Sequence, residues 1–280
     1  GLYPYRSALF SPMRDTDVPL AELFENQGYR TGCFSDNPFI SKTQKLEKGF
    51  SHFEYHYYDK QRPDYKKNSA PLPVNRERSE FLFERSKKWI QDNSSDPWFA
   101  YIHTLRPHTP YAPPEPYLNK FTDTTIVPEN EDTREFFIEY EQKVIRQFML
   151  GGRVSIRDEQ RDMLLNLYLS SISYIDHLID DLLSSLKDAG QLDNTLIVIT
   201  SDHGEAFGEH GRFLHGDTPH RPQNHVPLIV IPPRHLGLKP SHITTPVQLL
   251  DLLPTLADIH ELRDTTIRDG QSLMPLMRGE

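Results

Sequence analysis

A single cysteine in 280 residues excludes an internal disulfide framework and a cysteine-rich zinc site. No run of about 18 apolar residues occurs, so the segment offers no membrane span. Lys and Arg total 31 against 40 for Asp and Glu, a net charge of −9, and the basic residues are scattered among acids. That balance disfavours a nucleic-acid partner and requires any anion handled here to be held locally. The chain opens on GLYPYR rather than on Met with a basic and then apolar leader, and we expect it to have lost its natural beginning.

At this length, with 36 % hydrophobic residues, the chain can bury a substantial core. The 23 prolines gather in segments such as RPHTPYAPPEPY, which indicates long stiffened loops rather than disorder. Elements alternate along the chain. Leu20, Leu23 and Phe24 form a helical stripe that Asp17 can cap and Gly28 can close, followed by a strand from Arg30 to Phe34. A helix is expected over Ser79 to Gln91 and a buried strand over Trp98 to Thr104. The longest helix should run from Arg161 to Lys187, its apolar face drawn by Leu164, Leu165, Tyr168, Ile172, Ile175, Leu178, Leu182 and Leu186, with Gly190 closing it. TLIVIT (195–200) is a near-continuous β-branched run of the kind found in parallel strands covered on both faces. HVPLIVIPP is a second such run, and PVQLLDLLPTLADIHEL reads as a helix bent early at Pro254. The pattern predicts one α/β domain over residues 1–280: a doubly wound, mostly parallel sheet with helices on both faces. The acidic stretch 121–156 carries no readable motif and is taken as an insertion.

In open α/β sheets ligands bind beyond the carboxyl ends of the strands. Three predicted strands end in polar chemistry: Phe34 leads to Ser35, Asp36 and Asn37; Thr104 to His108; and Thr200 to Asp202 and His203. A carboxylate and an imidazole adjacent in a turn can face one metal ion; the ordinary alternative is that Asp202 caps a following helix while His203 bonds locally. His108, between Pro107 and Pro110, is either presented to a ligand or is a surface histidine in a stiff turn. His215, thirteen residues after Asp202, could bind an oxyanion or move a proton. Glu209 and His210 read as groups that shape the loop or stand behind the ligand-contacting residues, and Cys33, inside a strand, as an inert buried thiol.

Taken in order, these segments resemble the sulfatases, within the alkaline-phosphatase-like superfamily. GLYPYR resembles the segment that follows the family's nucleophile motif. GYRTGCFSDNP with Gly49–Phe50 matches the next strand and loop, PHTPYAPP the substrate-histidine loop, and YLSSISYIDHLIDDLLSSLKDAGQLDNTLIVITSDHGEAFGEHG the long helix, strand and metal loop. HVPLIVIPP, LLDLLPTLADI and DGQSLMPLMRGE complete the series. The resemblance implies an alkaline-phosphatase-like fold and hydrolysis of sulfate esters of small molecules or glycans. It implies one divalent metal ion, Ca²⁺, held in part by Asp202 and His203, and a formylglycine nucleophile upstream of residue 1. His108 is implied to contact sulfate and protonate the leaving oxygen, and His215 to stand where many sulfatases place a sulfate-binding lysine. The segment is then the central part of a longer protein, lacking the nucleophile motif, the first-strand acidic pair and a C-terminal subdomain, and inactive alone. FSDNP replaces the Lys and His that many sulfatases carry at that point. Two alternatives stay open: a phosphoryl-transfer enzyme of the same superfamily on Mn²⁺ or Zn²⁺, and a catalytically inactive binder of a sulfated glycan or a protein.

Overall fold

The computed structural model describes residues 12–37, 39–55, 77–150, 156–216, 218–264, 266 and 269–280. The GLYPYR segment, the Tyr-rich stretch from 56 to 75 and part of the acidic stretch 121–156 lie outside them. The described residues form two compact units, one from residues 1–104 with 233–280 and one from 105–232.

The first unit is built on a three-stranded parallel sheet. Strand β1 (Arg30–Ser35) lies between β2 (His52–Tyr55) and β3 (Trp98–His103). Every residue of β1 after Arg30 is buried, as expected for a central strand covered on both sides. Helix α1 (Leu20–Asn26) places Phe24 flat on Phe99 of β3, ring centroids 4.5 Å apart. Phe99 pairs with Thr31, so α1 covers the Thr31 face. Helix α2 (Arg78–Asp92) lies on the opposite face, where the Trp89 ring is 3.0 Å from where a Cβ on Gly32 would be and packs edge-on to Phe34. Helices on both faces of a parallel sheet are what the sequence predicts. Asp17, expected to cap α1, is instead taken by the Arg14 guanidinium at 2.7 Å, and Pro19 occupies the cap position. Pro254 stands in the first turn of α6 (Leu252–Ile259), which needs no N–H from that residue, and a 3-10 turn, Leu249–Asp251, leads directly into the helix. The unit ends in α7 (Met274–Arg278).

The second unit contains the longest helix, α4 (Asp158–Asp188), and a core formed by Tyr111, Leu118, Phe137, Val144, Leu164, Leu167, Phe207 and Phe213. Gly190 closes α4 in the left-handed conformation, as expected. The buried face of α4 is rotated from the predicted stripe. Leu164, Leu167, Tyr174 and Leu178 are buried, whereas Leu165 and Ile172 are 37 % and 40 % exposed. The shift follows from Ser170 and Ser171, fully buried because their hydroxyls have partners: Ser170 donates to the Leu118 carbonyl, and Ser171 receives the Arg106 guanidinium. Strand β4 (Ile197–Thr200), expected to be parallel, pairs antiparallel with β7 (Leu228–Ile231). Its connection to β7 holds a two-stranded hairpin, β5 (Ala206–Phe207) and β6 (Phe213–Leu214), and the four-residue α5 (Arg221–Asn224), with no long crossover helix. The stretch left without a motif contains α3 (Thr133–Leu150), started by Asp132, whose carboxylate accepts the Glu135 N–H at 2.9 Å.

Candidate active site

All four residues singled out for chemistry lie in the second unit, and three of them meet through their rings. The end of β4 releases Ser201, Asp202, His203 and Gly204 in succession. Gly204 donates its N–H to the Gln223 carbonyl at 2.8 Å, and a Cβ there would lie 2.1 Å from the Pro222 carbonyl oxygen. Only glycine fits this approach. Gly204→Ala is therefore expected to cost about 1–3 kcal/mol in urea unfolding, with a wild-type midpoint counting against the close contact. No helix follows Asp202 directly, which removes the capping reading; its side chain is 58 % exposed and its Oδ1 accepts the His203 N–H at 3.0 Å.

The three imidazoles share one feature. His203 Nδ1 lies 2.9 Å from the Gly204 carbonyl, His108 Nδ1 lies 2.8 Å from the Thr109 carbonyl, and His215 Nδ1 lies 3.0 Å from Glu205 Oε1. A carbonyl only accepts, so Nδ1 carries the proton in the first two and Nε2 is left for other partners. The His203 and His215 rings stack with centroids 4.0 Å apart, and His108 meets His215 edge-on at 5.1 Å. His203 Nε2 lies 3.8 Å from Asp202 Oδ1, so one carboxylate oxygen and one imidazole nitrogen stand side by side with the nitrogen's lone pair available. Such a donor pair suits a divalent cation as two of its ligands. Among the described residues no group of three or more His, Cys, Asp and Glu is arranged as a complete metal site.

Two buried carboxylates that the sequence analysis did not select hold this arrangement. Glu205, 5 % exposed in its side chain, accepts from His215 with Oε1 and from the Tyr111 hydroxyl with Oε2 at 2.9 Å. The hydrogen bond from Nδ1 to this carboxylate raises the His215 pKa above the ordinary imidazole value, against the opposing effect of partial burial. Glu141 of α3, fully buried, accepts from the Thr109 hydroxyl and from the Tyr111 N–H, the latter at 2.7 Å. Its removal from water pushes its pKa up to about 7, although both hydrogen bonds and Arg106 oppose the rise. Arg106 also donates to the Ala112 carbonyl, so the His108 loop is tied at Thr109, Tyr111 and Ala112. Gln223 is a third unselected group: its side chain accepts the Gly216 N–H and donates to the Leu214 carbonyl, gripping the backbone on both sides of His215. Glu209 is loop-shaping as expected, accepting the Phe207 N–H at 2.7 Å.

The polar residues at the end of β1 belong to the first unit. There Asn37 contacts His103 Nε2 at 3.0 Å while Tyr101 contacts its Nδ1 at 2.8 Å, so both ring nitrogens of His103 are engaged. Cys33 is fully buried, and burial pushes its thiol pKa up, as an inert thiol requires.

The β-strand and loop that carry this cluster, together with the rest of the chain, place it in a known class. A family model described as Sulfatase matches residues 1–261, and the chain belongs to the sulfatase family. Among curated relatives it is 28 % identical over 210 residues to the choline-sulfatase of Rhizobium meliloti (strain 1021), covering 71 % of this chain and 38 % of that protein. It is also 28 % identical to the arylsulfatase of Clostridium perfringens (strain 13 / Type A), over 65 % of this chain and 38 % of the relative. The chain thus spans well under half the length of these relatives. The phosphonate monoester hydrolase of Agrobacterium radiobacter shares the fold, with a TM-score of 0.72 at 23 % identity, covering 96 % of this chain and 63 % of that one. The fold is alkaline-phosphatase-like, as the sequence implied.

Proposed function

We propose that the full-length protein hydrolyses sulfate esters of small molecules or glycans in a metal-dependent reaction, and that residues 1–280 by themselves do not suffice. The observation that supports this reading is the clustering of three imidazoles, each with Nδ1 engaged, beside the exposed carboxylate of Asp202. Asp202 and His203 would hold the cation, Ca²⁺ in a sulfatase, with further oxygen ligands from outside the described residues. A bound cation supplies the largest local positive charge for an ester whose reaction develops negative charge. His215 offers Nε2 to an ester oxygen, backed by the Glu205 carboxylate. His108 would present Nε2 to the leaving oxygen as the acid, its position fixed because Glu141 and Arg106 hold its loop. The nucleophile is implied by the resemblance alone: a formylglycine upstream of residue 1, which would supply covalent catalysis.

The test is to offer the full-length protein an aryl sulfate and an aryl phosphonate monoester, before and after chelation. Sulfate turnover that is lost with chelator and restored by Ca²⁺ is the expected result. Turnover of the phosphonate alone would favour a second reading, phosphoryl transfer on Mn²⁺ or Zn²⁺, which the likeness to phosphonate monoester hydrolase and the affinity of imidazole for those ions support. His108→Ala is expected to slow alkyl sulfates, which have poor leaving groups, by about 10²–10⁴-fold and activated aryl sulfates much less. An equal loss on both would remove His108 from the acid role.

A further inference from the structure

We propose that Glu205 and Tyr111 are positioning residues of this site: Glu205 holds His215 by its Nδ1–H, leaving Nε2 to meet the substrate, and Tyr111 holds Glu205. The role assigned to Nε2 rests on the sulfatase reading; the holding contacts do not.

Three groups form one hydrogen-bonded line. The Tyr111 hydroxyl donates to Glu205 Oε2 at 2.9 Å, and Glu205 Oε1 lies 3.0 Å from His215 Nδ1. Tyr111 is fully buried in the core of its unit, its ring edge-on to Tyr168 at 5.6 Å and tilted against Phe207 at 5.7 Å. Its backbone is fixed as well, by the Tyr111 N–H to Glu141 bond. The phenol is therefore a rigid post, and the carboxylate it holds has one oxygen for the post and one for the imidazole. Burying a carboxylate here costs free energy that an apolar side chain would avoid. Packing alone would be served by Phe at 111 and an aliphatic residue at 205. What the polar pair adds is a fixed ring plane and a fixed tautomer for His215, because the tautomer of an imidazole is set by the hydrogen bond made by its other nitrogen. The ring needs that support, since it is flanked by His203 at 4.0 Å and His108 at 5.1 Å and neither neighbour holds it by a hydrogen bond.

Glu205→Gln keeps an acceptor oxygen for Nδ1–H, Glu205→Leu removes it, and Tyr111→Phe removes only the hydroxyl while keeping the ring packing. The imidazole nitrogen NMR signals of the histidine-labelled full-length protein read the tautomer without substrate, and steady-state kinetics on a sulfate ester read the rate. The expected result is an Nδ1–H signature for His215 in the wild type and in Glu205→Gln, and its loss in Glu205→Leu. Kinetically, kcat should fall about 10–100-fold in Glu205→Leu, less in Glu205→Gln, and by a smaller factor in Tyr111→Phe, with KM little changed. Persistence of the Nδ1–H signature in Glu205→Leu overturns the assignment. Wild-type kcat in Tyr111→Phe removes Tyr111 from it, and if Glu205→Leu does not fold, loss of the Nδ1–H signature in Glu205→Gln, which keeps the acceptor oxygen, overturns the hold of Glu205 on His215. A protein that turns over no sulfate ester would sink the sulfatase reading and leave the NMR comparison standing as the test of the holding role.

Discussion

Asp202→Ala in the full-length protein is expected to abolish metal binding and to lower turnover by at least about 10²–10³-fold, the range found when a single group stabilising developing charge is removed. Asp202 offers the oxygen donor of the pair it forms with His203, and hard cations depend on charged oxygen. Its side chain is more than half exposed and, among the described residues, bonds only to the neighbouring N–H, so the substitution should leave folding stability within about 0.5 kcal/mol of the wild type. Loss of activity with an unchanged unfolding midpoint and with metal absent by elemental analysis is the expected outcome. Full activity, or full metal content, would exclude the site as drawn.

The second large effect concerns stability and pH. Glu141 has a pKa of about 7 in the folded chain against an ordinary value of 4.5. Between those two pH values the folded protein binds a proton that the unfolded chain has released, so stability falls as pH rises through this window and levels off above it. The separation corresponds to roughly 3 kcal/mol, at roughly 1.4 kcal/mol per pH unit. Glutamine at 141 mimics the protonated acid, donating to the Thr109 hydroxyl oxygen with its amide and accepting the Tyr111 N–H with its oxygen. Glu141→Gln should therefore flatten the stability profile over this window and exceed the wild type at about pH 8. Urea unfolding at a series of pH values checks it, and a variant that keeps the wild-type slope would show that another group is responsible. Because Thr109 and Tyr111 closely follow the candidate acid, His108, the variant should also keep the His108 loop in place, which Glu141→Ala would not.

What could be read in advance is the part fixed by local pattern. The apolar run at 98–104 and the helical period of α4 announce themselves because burial on a strand or a helix face imposes a spacing on the residues. The direction of β4 is different in kind. A continuous apolar run looks the same whether its neighbour runs with it or against it, and the pairing with β7 is decided by what connects the two. Helix α3 was within reach: Asp132 with Glu135 three positions later is an N-terminal signature, and Phe137, Val144 and Phe148 follow at helical spacing. An acid on that apolar stripe, Glu141, is the signal that a buried carboxylate would be needed there.

The candidate site was legible in its members and not in its supports. Asp202, His203, His108 and His215 were chosen because they follow strands or sit between prolines, and the structure brings the three rings together. Glu205 stands in the same quoted loop, two residues after His203, yet nothing in the string distinguishes a solvated glutamate from one that is 5 % exposed and bonded to a phenol 94 positions away. Such contacts join residues distant in sequence and are created by packing.

The burial of Cys33 has a practical side. With one thiol in the chain, and that thiol sealed at the centre of β1, reaction with a disulfide reagent must await the parting of β1 from its neighbours. The rate of thiol labelling then becomes a clock for opening of the parallel sheet, with no residue introduced. The unit that carries the three histidines and Asp202 has no thiol to answer, so the clock times one half of the chain alone.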